Sequence, residues 1–237
     1  MDKYSIFVIS IFILLIVVLL FVRAKQRRSL LQWLHDFALR LGGKLYIGWE
    51  YEGDILNFKP PKNKIFSPRS GFVDKKGSQD AFRITDISNP AGAELFTRRT
   101  LYSWAYMGQR PLMYSKLVVR ISRKKNSSFE LYIMSWDLDN PPLPKIKIDP
   151  QSDYSHVYTS DEDIFLKIDS IVNFNQLRSR FNVDTTGWGQ PFPDIIINTD
   201  YIEVQINKNV IYFAKYREKA IQLLLETALL IRDKIEQ

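Results

Sequence analysis

SIFVISIFILLIVVLLFV, residues 5–22, runs without a charge into RAKQRR, residues 23–28. Eighteen helical residues at 1.5 Å rise reach about 27 Å, close to the ~30 Å hydrocarbon core of a bilayer, so the run predicts one spanning helix. A cleaved signal peptide needs a basic start, a shorter apolar core and small residues at the cleavage point. Only Lys3 precedes this run, and Phe21, Val22 and Arg23 stand where small residues belong, so an uncleaved anchor is expected. The basic residues Arg23, Lys25, Arg27 and Arg28 follow the run directly, against Lys3 and the amino group on the other side. The positive-inside tendency then predicts a cell-membrane, single-pass protein with its C-terminal part in the cytoplasm. The chain has no cysteine, which agrees with a domain built without disulfides.

Charge narrows the function classes. The chain carries a formal +7, but residues 1–28 contribute +4 of it, leaving +3 for residues 29–237. A general nucleic-acid binder concentrates far more positive charge on its folded part. The cluster Arg23, Lys25, Arg27 and Arg28 therefore reads as a membrane-face feature attracted to anionic headgroups.

The expected organisation is an anchor with a basic juxtamembrane segment, 1–28, and a soluble α+β domain, 29–237, with 140–153 as a possible point of subdivision. Ser29 can cap a helix in which Leu30, Leu31, Trp33, Leu34, Phe37, Ala38 and Leu41 recur at helical spacing and which Gly42-Gly43 ends. Trp33 reads as a core residue beside Leu34 and Phe37. Short strands are predicted at 45–49 and 55–58, and 59–78, rich in Pro, Gly, Ser and Lys, reads as a long surface loop. Phe82, Ile84 and Ile87 form a strand before a turn at Ser88–Gly92, and 94–106 fits a short helix or a strand.

Residues 117–121 and 129–134, joined by the polar segment 122–128, predict an antiparallel hairpin. The proline-rich stretch 137–153 reads as irregular, with one short strand at 146–148. Strands are expected at 155–158 and 164–168, and a short helix capped by Asn173 follows. Residues 194–199 and 201–206 are strands, the second with Tyr201, Glu203 and Gln205 on a face expected to be wet. Asn207-Lys208-Asn209 should turn the chain into a strand at 210–214, and 216–235 predicts a closing helix.

Motifs for chemistry are sparse. His35 and His156 are the only histidines, 121 residues apart, so zinc-finger spacing and His-Glu-x-x-His are absent, as are phosphate-binding and nucleophile-elbow glycine patterns. No cofactor and no metal site are expected, and both histidines read as ordinary surface residues. Carboxylate pairs remain: Asp137 with Asp139, Asp161 with Asp163, and Asp194 nine residues before Glu203. Paired carboxylates can hold a hard cation such as Mg²⁺. Pro193-Asp194 followed by Glu203-Val204-Gln205 resembles the Pro-Asp…Asp/Glu-x-Lys pattern of metal-dependent nucleases, with Gln205 where the lysine should stand. Asp194, Glu203 and Gln205 are thus the catalytic candidates.

A second constellation interleaves cations with rings: Arg98, Arg99, Tyr102, Trp104, Tyr106, Arg110, Tyr114, Lys116, Arg120, Arg123, Lys124 and Lys125. That mixture suits a nucleic-acid backbone or lipid headgroups, and aromatic residues at strand spacing equally suit a core. The anchor, the Trp33-Leu34…Phe37-Ala38…Leu41-Gly42-Gly43 helix, the stretch Thr159–Ile168 and the terminal hairpin with its helix together resemble uncharacterised single-pass bacterial membrane proteins with a cytoplasmic α+β domain. In those a Gly-Asp-x-x-Phe-Asp-x-x-Phe strand precedes a short helix; here Ser160 replaces the glycine and the Phe-Asp pair is not kept. The resemblance implies a fold and an anchor, without an activity. The expected function is binding or scaffolding at the membrane, with the bilayer and a protein as partners. The alternatives are a tethered metal-dependent hydrolase or nuclease and a sensor of an anionic ligand, nucleic acid or lipid headgroup.

Overall fold

The computed structural model describes residues 3–47, 82–88, 90–102, 112–124, 129–135, 137–138, 141–147, 156–181 and 193–237. The expected strand at 55–58, the loop at 59–78 and Asp139 lie outside them. The chain is α+β, as the pattern predicts. It begins with one long helix, α1 (Lys3–Arg40). The expected break at Ser29 is absent: Ala24, Lys25, Gln26, Arg27 and Arg28 are good helix formers with no Gly or Pro among them, so nothing stops the helix between the apolar run and the domain. The 38 residues extend over about 57 Å.

The two parts of α1 have opposite surroundings. Residues 4–22 are exposed on all sides, and the segment is long and apolar enough to cross a membrane. Leu30, Leu34, Phe37 and Ala38 are buried in the domain core. Gly42 ends α1 at φ +67°, where Gly42 N donates to Leu39 O and Gly43 N to Ala38 O, a Schellman closure. A Cβ on Gly42 would stand 2.1 Å from Ser88 Oγ, so both the backbone and the space require glycine.

Among the described residues nine strands form one sheet: β1 (Lys44–Ile47), β2 (Phe82–Ser88), β3 (Ala91–Tyr102), β4 (Leu112–Ser122), β5 (Leu131–Met134), β6 (Lys145–Ile146), β7 (His156–Thr159), β8 (Asp194–Ile197) and β9 (Tyr201–Asn207). Their order is β1-β2-β3-β4-β9-β8-β5-β7-β6, and every described pairing is antiparallel. Strands from both sides of 140–153 share this sheet. The expected hairpin of 117–121 with 129–134 does not form, because the β8–β9 hairpin inserts between β4 and β5. That insertion is favoured by its own turn: Asn198 Oδ1 accepts from the Asp200 and Tyr201 amides, and β9 supplies three apolar residues to the core face.

Two further expectations change. Residues 164–168 belong to a helix, α2 (Glu162–Val172), started by Asp161, whose carboxylate accepts from the amides of Asp163 and Ile164. Phe165, Ile168 and Val172 then fall on one buried stripe, a helical period that the β-branched residues disguise. Residues 210–214 are not a strand: Asn207 Oδ1 accepts from Asn209 N and closes a 3-10 helix, Lys208–Tyr212. The short helix α3 (Phe174–Ser179) follows Asn173, whose side chain accepts from Gln176 N, and α4 (Arg217–Ile235) closes the chain, both as expected.

The helices cover one face of the sheet. Leu95, Leu117, Val119, Ile121, Leu131, Ile133, Ile195, Ile197, Ile202, Val204 and Ile206 meet Leu34, Phe165, Ile168, Leu224, Ala228 and Ile231 in a single apolar core. Each fully buried aliphatic side chain there contributes about 1.5–3 kcal/mol.

Candidate functional site

The opposite face of the sheet holds the residues singled out for chemistry. Strand alternation puts Glu94, Phe96 and Arg98 of β3, Lys116, Val118 and Arg120 of β4, Glu203 and Gln205 of β9 and Asp194 of β8 on this face, since their register partners are mutual. The face expected to be wet is buried: Asp194, Glu203 and Gln205 are all 0% exposed and Lys116 is 2% exposed. Glu94, Arg120 and Glu203 lie directly opposite one another across three strands, so charge alternates along the row.

The carboxylates are engaged on every oxygen, while Gln205 Oε1 is buried without a hydrogen-bond partner. Glu203 Oε1 accepts from Arg120 Nε at 2.9 Å and Nη2 at 2.7 Å, while Oε2 meets Arg98 Nη2 at 2.8 Å and Gln205 Nε2 at 3.1 Å. Arg83 Nη2 donates to both oxygens of Glu94, and Arg120 Nη1 approaches Glu94 at 3.7 Å. Arg120 also sits over the rings of Phe96 and Tyr201, at 5.1 and 4.2 Å from their centroids. Arg98 and Lys116 are direct cross-strand neighbours of like charge, and each turns to its own carboxylate. Lys116 Nζ lies 3.0 Å from Asp194 Oδ2, and Asp194 Oδ1 accepts from the amide and hydroxyl of Ser135 at 2.8 and 2.7 Å.

Burial, the largest influence, lowers the Lys116 pKa, and the nearby Arg98 adds to this while Asp194 opposes it. Burial likewise raises the Tyr132 hydroxyl on the same face, helped by Glu130. The nuclease-like triad is therefore brought together, with Asp194 opposite Gln205 in register, but every carboxylate oxygen of Asp194 and Glu203 already faces a protein donor. Among the described residues no group of three or more His, Asp and Glu is arranged to hold a metal ion.

The basic–aromatic stretch divides. Arg98, Lys116 and Arg120 belong to the buried pairs just described. Arg123 is 9% exposed; its Nη1 donates to Asn198 O at 2.8 Å, its guanidinium lies over Phe129, and Glu236 of the chain's end stands 3.9 Å from Nε. Lys124 is exposed, with its amide held by Glu236 Oε1 and its Nζ 3.9 Å from Asp233. The Arg99 side chain, Arg110 and Lys125 lie outside the described residues. Missed in the sequence were the acidic partners Glu94 and Glu203 as counter-charges to Arg120; strand alternation puts each on a charged face, but nothing local states which strand lies opposite.

A smaller polar cluster occupies the β5–β7–β6 edge. The Tyr158 hydroxyl donates to Asp137 Oδ1 and accepts from Leu138 N at 2.9 Å; Lys145 Nζ is 3.2 Å and His156 Nδ1 3.6 Å from the same carboxylate oxygen. Burial pulls the Asp137 pKa upward, yet hydrogen bonds from Tyr158 and Lys145, with His156, outweigh it and leave the carboxyl below its ordinary value. His156 is lowered, first by burial and then by Lys145, against the pull of Asp137. Burial and the hydrogen bond to Asp137 raise Tyr158. His35, on the part of α1 packed in the domain, stands apart from this cluster as partly buried.

Between the apolar segment and the domain, Arg23, Lys25 and Arg28 are exposed, whereas Arg27 is partly buried with its Nε and Nη2 atoms shielded from solvent. Trp33 stacks on Phe37 at 4.8 Å and carries the Arg217 guanidinium over its ring at 4.4 Å, a packed role that agrees with the spacing.

No family model matches this chain, and no curated protein sequence does. Among solved structures, the chain is similar to the crystal structure of the mycobacterial trehalose monomycolate transport factor A, TtfA, with a TM-score of 0.43 and 10% sequence identity over 89% of this chain and 93% of that one.

Proposed function

We propose that this chain is a single-pass protein of the cell membrane whose α+β domain lies on the cytoplasmic side and works as a binding or scaffolding component. The observation that carries the reading is the continuity of α1. One helix supplies an exposed apolar segment of bilayer length and then, past four basic residues, core side chains of the domain. The basic residues on the domain side support the cytoplasmic orientation.

The tethered-nuclease alternative needs carboxylate oxygens free for a cation. In Asp194 and Glu203 they are engaged by Lys116, Ser135, Arg98, Arg120 and Gln205. The anionic-ligand alternative needs accessible cations. Of its candidates with described side chains, Lys124 alone is exposed by more than a third.

The cysteine-free sequence makes sidedness directly measurable. Single cysteines at Lys219, exposed on α4, and at Asp2 are treated in intact cells with a membrane-impermeant maleimide. Lys219→Cys should react only after permeabilisation and Asp2→Cys in intact cells; the reverse pattern would overturn the orientation. Purified full chain with Mg²⁺ and DNA should show no hydrolysis, and hydrolysis lost in a folded Glu203→Gln variant would overturn the scaffold reading.

A further inference from the structure

The sheet ends at β6, whose register pairs are Lys145 with Tyr158 and Ile146 with Val157. A backbone bond from Thr159 N to Pro144 O, at 3.1 Å, extends the pairing by one residue. So short an edge leans on its side-chain tie, Lys145 Nζ to Asp137 Oδ1 at 3.2 Å. Asp137 is itself fixed. The Tyr158 hydroxyl donates to the same oxygen and accepts from Leu138 N, and Tyr158 is 1% exposed.

His156 aims a third group at that oxygen. Its Nδ1 stands 3.6 Å away, shielded from solvent and without a hydrogen-bond partner. Among the described residues, the charged and titratable groups around its ring are Asp137 after β5, Lys145 on β6, Tyr158 two residues along β7, and exposed Lys147 just past β6; its register partner on β5 is Met134. Once the imidazole is charged, two cations face one carboxylate oxygen and repel each other. They differ in where they can go. The His156 side chain is 23% exposed on a strand paired along its length with β5, whereas Lys145 is 42% exposed at the edge, on a flexible stem that can carry its charge into water. Burial first, and then Lys145, oppose a proton on His156, while Asp137 favours it, so the ring binds its proton more tightly once Lys145 has left. Linkage is reciprocal, and the proton therefore drives Lys145 off. With Lys145 in place the His156 pKa lies below 6.5, so the tie is intact above that value and yields as pH falls below it.

We propose that Asp137, Lys145 and His156 form a proton-operated clasp on the edge of the sheet: at neutral pH Lys145 holds β6 to Asp137, and in acid His156 takes the carboxylate, Lys145 swings into solvent and β6 detaches, uncovering the backbone edge of β7. The test uses the isotope-labelled full chain in detergent micelles. The Thr159 amide, bonded to Pro144 O, should lose protection from hydrogen exchange several-fold between about pH 7 and pH 5, after correction for the intrinsic rate, while the Val204 amide in mid-sheet keeps its own. In His156→Asn the Thr159 protection should stay constant over that range. The ring titration gives a second reading in a variant that leaves β7 untouched: Lys145→Met should raise the His156 midpoint. Thr159 protection indifferent to pH, a loss equally large in His156→Asn or shared by Val204, or a His156 midpoint that Lys145→Met leaves in place would each overturn the clasp.

Discussion

The two faces of the central sheet both bury their middle strands and are held by different physics. On the helical side, Leu117, Val119, Val204 and Ile206 pack against α4 and its neighbours with no charge to place. On the other side, Lys116, Glu203 and Gln205 are buried as well and Arg120 is largely so, each one residue along from those positions, and their charges are matched strand by strand. Non-directional burial tolerates volume-conserving substitution, whereas a buried pair loses its compensation the moment one partner goes. Period-two alternation of charged and apolar residues thus does not imply that the charged face is wet.

The sharpest way to break this contrast is Glu203→Ala, which leaves Arg98 and Arg120 buried without their shared carboxylate. The expected cost is about 3–5 kcal/mol, read by denaturant unfolding of the full chain in detergent. A loss below 1 kcal/mol would show that water reaches the pair. Leu224→Ala on the helical face should cost about 2–5 kcal/mol through its cavity, and it should be insensitive to salt.

Asp194→Leu alone should be as damaging as other broken buried pairs. Adding Lys116→Met should recover most of the loss, except for about 1–3 kcal/mol from the Ser135 amide left without its acceptor. A double variant no better than the single would mean that Lys116 and Asp194 are not compensating each other.

At the sheet edge, the Asp137 carboxyl is lowered from 3.8 in the folded chain. Its contribution is therefore present above that value and fades as pH falls through the lower folded pKa. The melting difference between wild type and Asp137→Asn should be flat at neutral pH and shrink only below about 3.8; a difference that vanished near pH 6 would assign the effect to His156 instead. The smallest change expected is Asp161→Ala, about 1 kcal/mol for one lost N-cap on α2.

Local signals were legible where one residue carries the geometry. Gly42-Gly43 marked the end of α1, Asn173 the start of α3, and the run 216–235 the closing helix. The α+β class followed from periodicity, and the apolar segment from an unbroken uncharged run of bilayer length. What escaped was set by partners far along the chain. No local pattern states that β9, some eighty residues downstream, lies between β4 and β5, and so neither the missing hairpin nor the pairing of Arg120 with Glu203 could be read from spacing. The Asp194–Glu203–Gln205 set was legible as a cluster. The engagement of its carboxylates by Lys116, Arg98 and Arg120 required the sheet order, which converts two separate motifs, acidic and basic, into one structural feature.

The absence of a joint between Val22 and Leu30 gives the number of residues there an angular meaning. One residue added or removed turns everything beyond it by about 100° and shifts it by 1.5 Å. Each single-alanine insertion at a position from 23 to 29 should therefore turn the domain by about 100° about the axis of the apolar segment, whereas a flexible tether would leave its orientation unchanged.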